Sequence, residues 1–246
     1  MKCLLVSLLL MVAATAAAEP VQVAVAANFS SPLKQLVEAY RQHHPEAEIQ
    51  VTVGSTGKLA AQIRQGAPYD IFLAADARRP QELASEGLIL PETVRTYAIG
   101  RLVLWSPDAG PVLAGPSLVA GQVSPVAMAN PRTAPYGEAA QVVLARFPLP
   151  ESVVLVQAEN VGQSYHFAHS GAAQAAFVAL SQVQDKGGRQ WRIPDGLYPP
   201  IRQQAGLLRD SKAARHFYAF LFSAPARERI NGLGYGTDEV ADEDGE

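Results

Sequence analysis

The chain predicts an α/β fold: two doubly wound α/β lobes joined by two crossing strands, with a ligand cleft between the lobes. Three observations carry this expectation. Short β-rich runs alternate with longer amphipathic stretches, the pattern of strands covered by helices. Such a set occurs on each side of one long β-rich run, Tyr97–Ser106. After the second set, Tyr198-Pro199-Pro200-Ile201 leads back into another β-rich run and two terminal helices. The expected division is residues 19–98 with 200–246 for one lobe and 99–199 for the other. A cleft between two such lobes is a usual place for a small ligand.

The chain opens with Lys2, an apolar run from Leu4 to Val12 broken only by Ser7, and Ala16-Ala17-Ala18 before Glu19-Pro20. A charged start, an apolar stretch and a small-residue cleavage site read as a secretory signal peptide over residues 1–18. The apolar run is shorter than the roughly 18 residues that span a bilayer. Cys3, the single cysteine, would leave with it. The exported chain then forgoes disulfides, and its stability rests on its cores.

In the first lobe, Val21–Ala26 reads as a strand. Pro32–His43 reads as a helix, with Leu33, Leu36, Val37 and Tyr40 at helical spacing. Ile49–Val53 alternates as a strand. Lys58–Gln65 is a helix ended by Gly66-Ala67-Pro68. Ile71–Ala74 is a buried strand, and Arg79–Glu86 is a helix closed by Gly87. This βαβαβα order favours a parallel sheet. Tyr97–Ser106 holds Gly100 and reads as one long strand that crosses between lobes. Pro107–Pro125 is loop material. The second lobe continues with strand Val126–Ala129, helix Gly137–Arg146, strand Val153–Gln157, helix Gln163–Ala173, strand Ala176–Leu180 and a turn at Lys186-Gly187-Gly188. Arg202–Leu208 is the second candidate crossing. Helices Lys212–Phe222 and Pro225–Leu233 follow, the last ended by Gly234.

A formal net charge of −3 without any Lys/Arg cluster argues against nucleic acid as a partner. The acidic end, Asp238–Glu246, reads as a solvated tail. Enzyme constellations are weak. His166 and His169 share a helical face, but no third ligand and no H-E-x-x-H pattern accompanies them, so they read as surface residues. No G-x-S-x-G occurs, and the exported chain has no cysteine nucleophile. Asp70 and Asp76 flank a strand and read as loop-orienting groups. Trp105 and Trp191 read as packing residues.

Three segments share one design, in which a strand ends, small or polar residues follow, and a helix begins: Ala26–Pro32, Gly54–Lys58 and Glu159–Gln163. In the first, Ser30 or Ser31 suits the N-cap and Pro32 the first turn. Each would place backbone N–H groups and a positive helix end beside a strand terminus, an arrangement that binds anions without a charged side chain. Gly54-Ser55-Thr56-Gly57-Lys58 is no P-loop: position 52 is Thr where the earlier glycine should stand, and Leu59 follows the lysine. A fourth segment, Asn130–Gly137, also follows a strand and precedes a helix. Its Tyr136 offers a phenolic donor.

The stretches AANFSSPL (Ala26–Leu33), GSTGKLAAQI (Gly54–Ile63), GAPYDIFLAAD (Gly66–Asp76), YAIGRLVLW (Tyr97–Trp105), NPRTAPYG (Asn130–Gly137) and ENVGQ (Glu159–Gln163) occur in this order. Together they resemble the periplasmic molybdate-binding proteins of ABC importers, within the type II periplasmic binding proteins. The resemblance implies a two-lobed fold that closes over molybdate or tungstate, no enzymatic activity and no cofactor. It implies a membrane permease as partner, with a single copy of the chain as the acting form. Position by position it implies an oxyanion site of Asn28, Thr56, Ala75, Tyr136 and Val161, with Ala75 and Val161 acting through backbone N–H. Two positions depart from the pattern. Ala27 stands where some members have a hydroxyl, and Ala179 where some have a tyrosine that Tyr136 would replace. Sulfate, thiosulfate or phosphate binding by the same fold, or a sensor role, is the alternative.

Overall fold

The computed structural model describes residues 20–110, 113–115, 121–147 and 149–236. The signal segment, Cys3, the acidic tail and part of the Pro107–Pro125 loop lie outside the described residues.

Strand β1 (Val21–Ala26) lies between β2 (Ile49–Gly54) and β3 (Ile71–Leu73), parallel to both. The expected parallel set then gains one antiparallel strand, and beyond it a strand that again runs with the set. β10 (Ile201–Leu207) pairs with β3 and with β4 (Arg95–Gly100), giving the order β2-β1-β3-β10-β4. The second sheet runs β7-β6-β8-β5-β9. Its strands are β5 (Leu102–Ser106), β6 (Val126–Ala129), β7 (Leu155–Ala158), β8 (Ala175–Ala179) and β9 (Arg189–Arg192).

The long run Tyr97–Ser106 is therefore not one strand. It breaks at Arg101, and its halves pair in different sheets. Likewise Arg202–Leu208 does not itself cross: β10 lies wholly in the first sheet, and the passage is made between Ile193 and Pro200. A strand paired along its length within one sheet cannot leave it, so each crossing falls where the ladder stops.

Both sheets are covered on both faces, which accounts for the nearly continuous apolar strands. In the first, Val23 and Val25 face α1 (Ser30–Arg41), α7 (Lys212–Leu221) and α8 (Ala224–Gly232), packing with Leu33, Leu36, Phe217 and Ile230. The intervening Ala24 faces α2 (Thr56–Arg64) and α3 (Arg78–Ser85), with Leu59, Ile63 and Leu83. In the second, Leu102 and Leu104 join Val143 of α4 (Pro135–Arg146), whereas Val103 and Trp105 join Ala168 of α5 (Val161–His169) and Val183 of α6 (Leu180–Val183). The period-2 alternation along β5 thus decides which helix meets which residue.

The helices that open toward the lobe junction begin earlier than the spacing predicts. α2 starts at Thr56 rather than Lys58, α4 at Pro135 rather than Gly137, and α5 at Val161 rather than Gln163. α1 starts at Ser30, after a 3-10 turn at Ala27–Phe29. The expected cap at Ser30 or Ser31 is not formed: Ser30 Oγ donates to the Ala27 carbonyl, 2.9 Å away, instead of accepting an N–H. Two short elements, α6 and β9, had no clear periodic signal.

Candidate functional site

All five expected residues meet. Asn28, Thr56, Ala75, Tyr136 and Val161 line one small cavity of about 10 Å³ where the two sheets face each other. It is shared with Ala27, Ser55, Pro135 and Asn160, among others. Asn28 comes from the turn after β1, Thr56 from the first turn of α2, and Ala75 from the segment after β3. Tyr136 and Val161 come from the first turns of α4 and α5, across the junction. N–H groups in a first helical turn have no intrahelical acceptor, so those of Val161 and Tyr136 stand as donors. Asn160 starts α5 properly, its Oδ1 accepting from Gln163 N at 3.0 Å.

One expected role differs. The Ala75 N–H donates to Thr56 Oγ1 at 3.0 Å. A hydroxyl has one proton and two acceptor sites, so this contact leaves the Thr56 proton to point elsewhere. Ala75 thereby turns Thr56 into a donor. Ser55, also buried at the cavity, has a hydroxyl without a partner.

Among the described residues, no charged side chain lines this cavity. The Arg79 guanidinium is held by groups beside it. Arg79 is buried and paired with Asp76, and it donates to the Arg132 carbonyl at 3.2 Å, with Glu138 at 3.5 Å. Asp76 also accepts from Arg79 N at 3.0 Å, and Asp70 accepts from Gln22 N at 2.7 Å. Both carboxylates orient loops, as their positions suggest.

Behind the cavity lies a buried polar network. Asn28 Nδ2 donates to Gln203 Oε1 (2.8 Å) and Tyr235 Oη (3.1 Å). Tyr97 Oη lies 3.0 Å from Gln203 Oε1 and from the Ala74 carbonyl. Gln203 Nε2 lies 3.4 Å from Tyr136 Oη. Burial pushes the Tyr97, Tyr136 and Tyr235 phenols above the ordinary 10.0, so they stay protonated. Gly100 makes room for this: a Cβ there would collide with Tyr136 Oη and sit 2.8 Å from Gln203 Nε2.

The lobes touch around the cavity. Gly57 N donates to the Thr133 carbonyl at 2.8 Å, Lys58 meets Glu159 at 3.0 Å, and Arg78 meets Glu138 at 3.2 Å. On another side Ser181 Oγ reaches the Asn28 carbonyl at 3.3 Å, and Gln184 Nε2 reaches the Gly232 carbonyl at 2.8 Å. His166 and His169 are exposed, and among the described residues no group of three or more His, Cys, Asp or Glu could hold a metal. Trp105 packs inside with its Nε1 donating to the Gly187 carbonyl at 3.0 Å; Trp191 sits edge-on to Phe147.

The sequence profile of the family described as bacterial extracellular solute-binding protein matches residues 21–236. The chain belongs to this family. Within it, the molybdate-binding protein ModA of Azotobacter vinelandii is 40% identical over 236 residues, covering 92% of this chain and 93% of that protein. ModA of Rhodobacter capsulatus is 39% identical, covering 94% of each. The solved periplasmic molybdate-binding protein of A. vinelandii superposes with a TM-score of 0.82 at 35% identity, over 88% of this chain and 99% of that one. These solute-binding relatives are binding proteins by name.

Reading by residue missed Ser55, Gln203, Tyr97 and Tyr235. Ser55 stood inside a segment already singled out for its helix start. Gln203 carried a weaker signal, a polar residue at an inward position of an alternating strand. The other two gave none, since a buried Tyr is ordinary core material.

Proposed function

We propose that this chain is a periplasmic solute-binding protein that captures molybdate or tungstate and hands it to the permease of an ABC importer. The observation that carries this is the cavity itself: donors from both lobes converge on it, and among the described residues no charged side chain lines it. A dianion there meets Asn28, Thr56, Ala75 (through Thr56), Tyr136 and Val161. Hydrogen bonds to a charged group contribute about 1.5–3 kcal/mol each, so several in a dry site offset the anion's desolvation. The names of the relatives at about 40% identity support molybdate as the ligand.

In this reading residues 1–18 direct export and are removed. The division expected at 98/99 moves to Arg101, since Ile99 and Gly100 pair with β10 in the first sheet; the lobes otherwise keep the proposed division, residues 200–246 returning to the first. The lobes part about the two crossings and close over the anion, as periplasmic binding proteins do. The chain acts as a monomer. Size sets selectivity: sulfate has shorter bonds and would leave donors buried without acceptors, at about 1–3 kcal/mol apiece.

Calorimetric titration of the ligand-free exported form with molybdate, tungstate and sulfate tests this. One-to-one binding of the first two, with sulfate at least tenfold weaker, is expected. Sulfate binding as tightly as molybdate, or no binding of either metal oxyanion, would overturn it.

A further inference from the structure

Gln203 pairs with Ala98 where the β10–β4 register shifts, and Tyr97 is the extra residue on β4. A bulge of this kind re-aims a side chain, and such bulges gather beside functional sites. Here the extra residue, Tyr97, reaches the fully buried Gln203 amide, which lies between Asn28 on one side and Tyr136 on the other.

The hydrogen-bond ledger around this amide is uneven. With Asn28 Nδ2 turned to Gln203 Oε1, Asn28 Oδ1 is buried without a partner. Tyr97 has one hydroxyl proton facing two acceptors, Gln203 Oε1 and the Ala74 carbonyl. Exchanging O and N at both amides gives Asn28 Oδ1 a donor in Gln203 and leaves Tyr97 a single acceptor; Tyr235 Oη, which donates to the Asn28 carbonyl at 2.9 Å, then lies 3.1 Å from Asn28 Oδ1. Gln203 Nε2 then donates to Asn28 Oδ1 and Tyr97 Oη. Tyr97 donates to Ala74 alone. Gln203 Oε1 accepts from Tyr136 Oη across the junction. The Asn28 NH₂ then takes the buried place that has no protein partner, on a residue that lines the cavity.

We propose that Gln203 is a specificity-determining positioning residue: it holds Asn28 with its NH₂ toward the bound anion and ties that orientation to Tyr136 in the facing lobe. This rests on the oxyanion reading above and deepens it. A fully deprotonated oxyanion only accepts hydrogen bonds, whereas hydrogen phosphate must also donate one. An Asn28 carbonyl in the cavity would welcome that proton, and an Asn28 NH₂ refuses it. Tyr136 then serves the anion through its main-chain N–H, while its phenol ties the lobes.

Gln203→Glu inverts the relay. An ionised carboxylate accepts from Asn28 Nδ2 and from the phenols, which turns Asn28 Oδ1 into the cavity beside a new negative charge. The titratable groups facing position 203 are Tyr97 from β4, Tyr136 from α4 and Tyr235 beyond α8, with Asp76 near Tyr97. The phenols stay neutral below pH 9, so a new pH dependence belongs to the introduced Glu.

The experiment titrates wild type, Gln203→Glu and Gln203→Met with molybdate, sulfate and inorganic phosphate from pH 5.5 to 8.5, with melting temperatures alongside. Wild-type molybdate affinity should be nearly flat with pH. Gln203→Glu should bind at least ~100-fold more weakly at pH 8, recovering as pH falls, since two kcal-scale donors are lost at 1.4 kcal/mol per decade. Gln203→Met, which fills the space without polar atoms, should lose about tenfold and narrow the molybdate-over-phosphate preference. Should Gln203→Glu fail to fold, Gln203→Met decides alone. Wild-type affinity and preference in Gln203→Met, or a wild-type pH profile in a folded Gln203→Glu, would overturn the proposal. The wild-type titration tests the oxyanion reading separately. A wild type that prefers sulfate revises the ligand while Gln203 is judged with sulfate. A wild type that binds none of the three removes both.

Discussion

Gly57 offers a way to strain the closed arrangement while sparing the fold. It is the second residue of α2, and its N–H donates to the Thr133 carbonyl across the junction at 2.8 Å. A Cβ at position 57 would lie 3.0 Å from both Thr133 Cα and Thr133 O, and 3.3 Å from Arg79 Nε. Apolar contacts settle at about 3.5–4.0 Å, so the rim must part by several tenths of an ångström. Overpacking of this kind costs about 1–3 kcal/mol. That is about 5- to 150-fold in Kd at 1.4 kcal/mol per decade. Within the lobe itself, Ala in a helix is favoured over Gly by about 0.5–1 kcal/mol. Gly57→Ala should therefore weaken molybdate binding at least fivefold while the ligand-free melting temperature holds or rises. Calorimetry and a thermal melt on the same preparation read both quantities. An unchanged Kd would refute the claim that this contact belongs to the ligand-bound state. A lower ligand-free melting temperature would refute the claim that the strain spares the fold.

Gly100→Ala should cost binding and stability together, because its Cβ collides with Tyr136 Oη inside the buried network; overpacking of about 1–3 kcal/mol would show in both calorimetry and the melt, and an unchanged melt counts against the packing described. Thr56→Ala removes a donor and leaves Ala75 N–H without its acceptor, so it should weaken molybdate binding more than Tyr136→Phe does; Thr56→Ser should bind nearly as wild type, and the reverse order in titrations would reject the assignment. Burial raises the phenol pKa of Tyr97, Tyr136, Tyr198, Tyr218 and Tyr235 above 10.0. The unfolded chain then gives up these protons first, so their contribution is whole below pH 10 and drains as pH rises through it. The melting temperature should fall between pH 9.5 and 11, less steeply in Tyr97→Phe; equal slopes would remove Tyr97 from this account.

Much of the fold was legible because it rests on local rules. Strand and helix periods marked nearly every large element, and Tyr97–Ser106 was rightly suspected of joining two lobes. What failed was boundary detail, for a physical reason. α2 and α4 start on Thr56 and Pro135, residues with little apolar signal that line the cavity, and α5 starts on Val161, a lone apolar residue after Glu159-Asn160 and before Gly162-Gln163. The residues that make a helix start useful to an anion are the ones that hide the start from a hydrophobic pattern. Ser30 misled in the opposite sense: it looked like a cap, but the 3-10 turn at Ala27–Phe29 had already begun the helix.

The same reasoning explains why the supporting network was the least visible part. Gln203, Tyr97 and Tyr235 come from β10, β4 and the segment after α8, far apart in sequence. Nothing local marks them. Their joint effect is to hold Asn28 from behind the cavity with neutral groups. The one buried guanidinium nearby, Arg79, is spent on Asp76 and on the rim carbonyl of Arg132. Pairing a buried charge on its own lobe avoids leaving it uncompensated when the junction opens. Neutral donors carry no such penalty, since each can meet water in the open form. A site that must bind tightly and then release is better served by dipoles held in place by an amide than by a cation waiting for its anion.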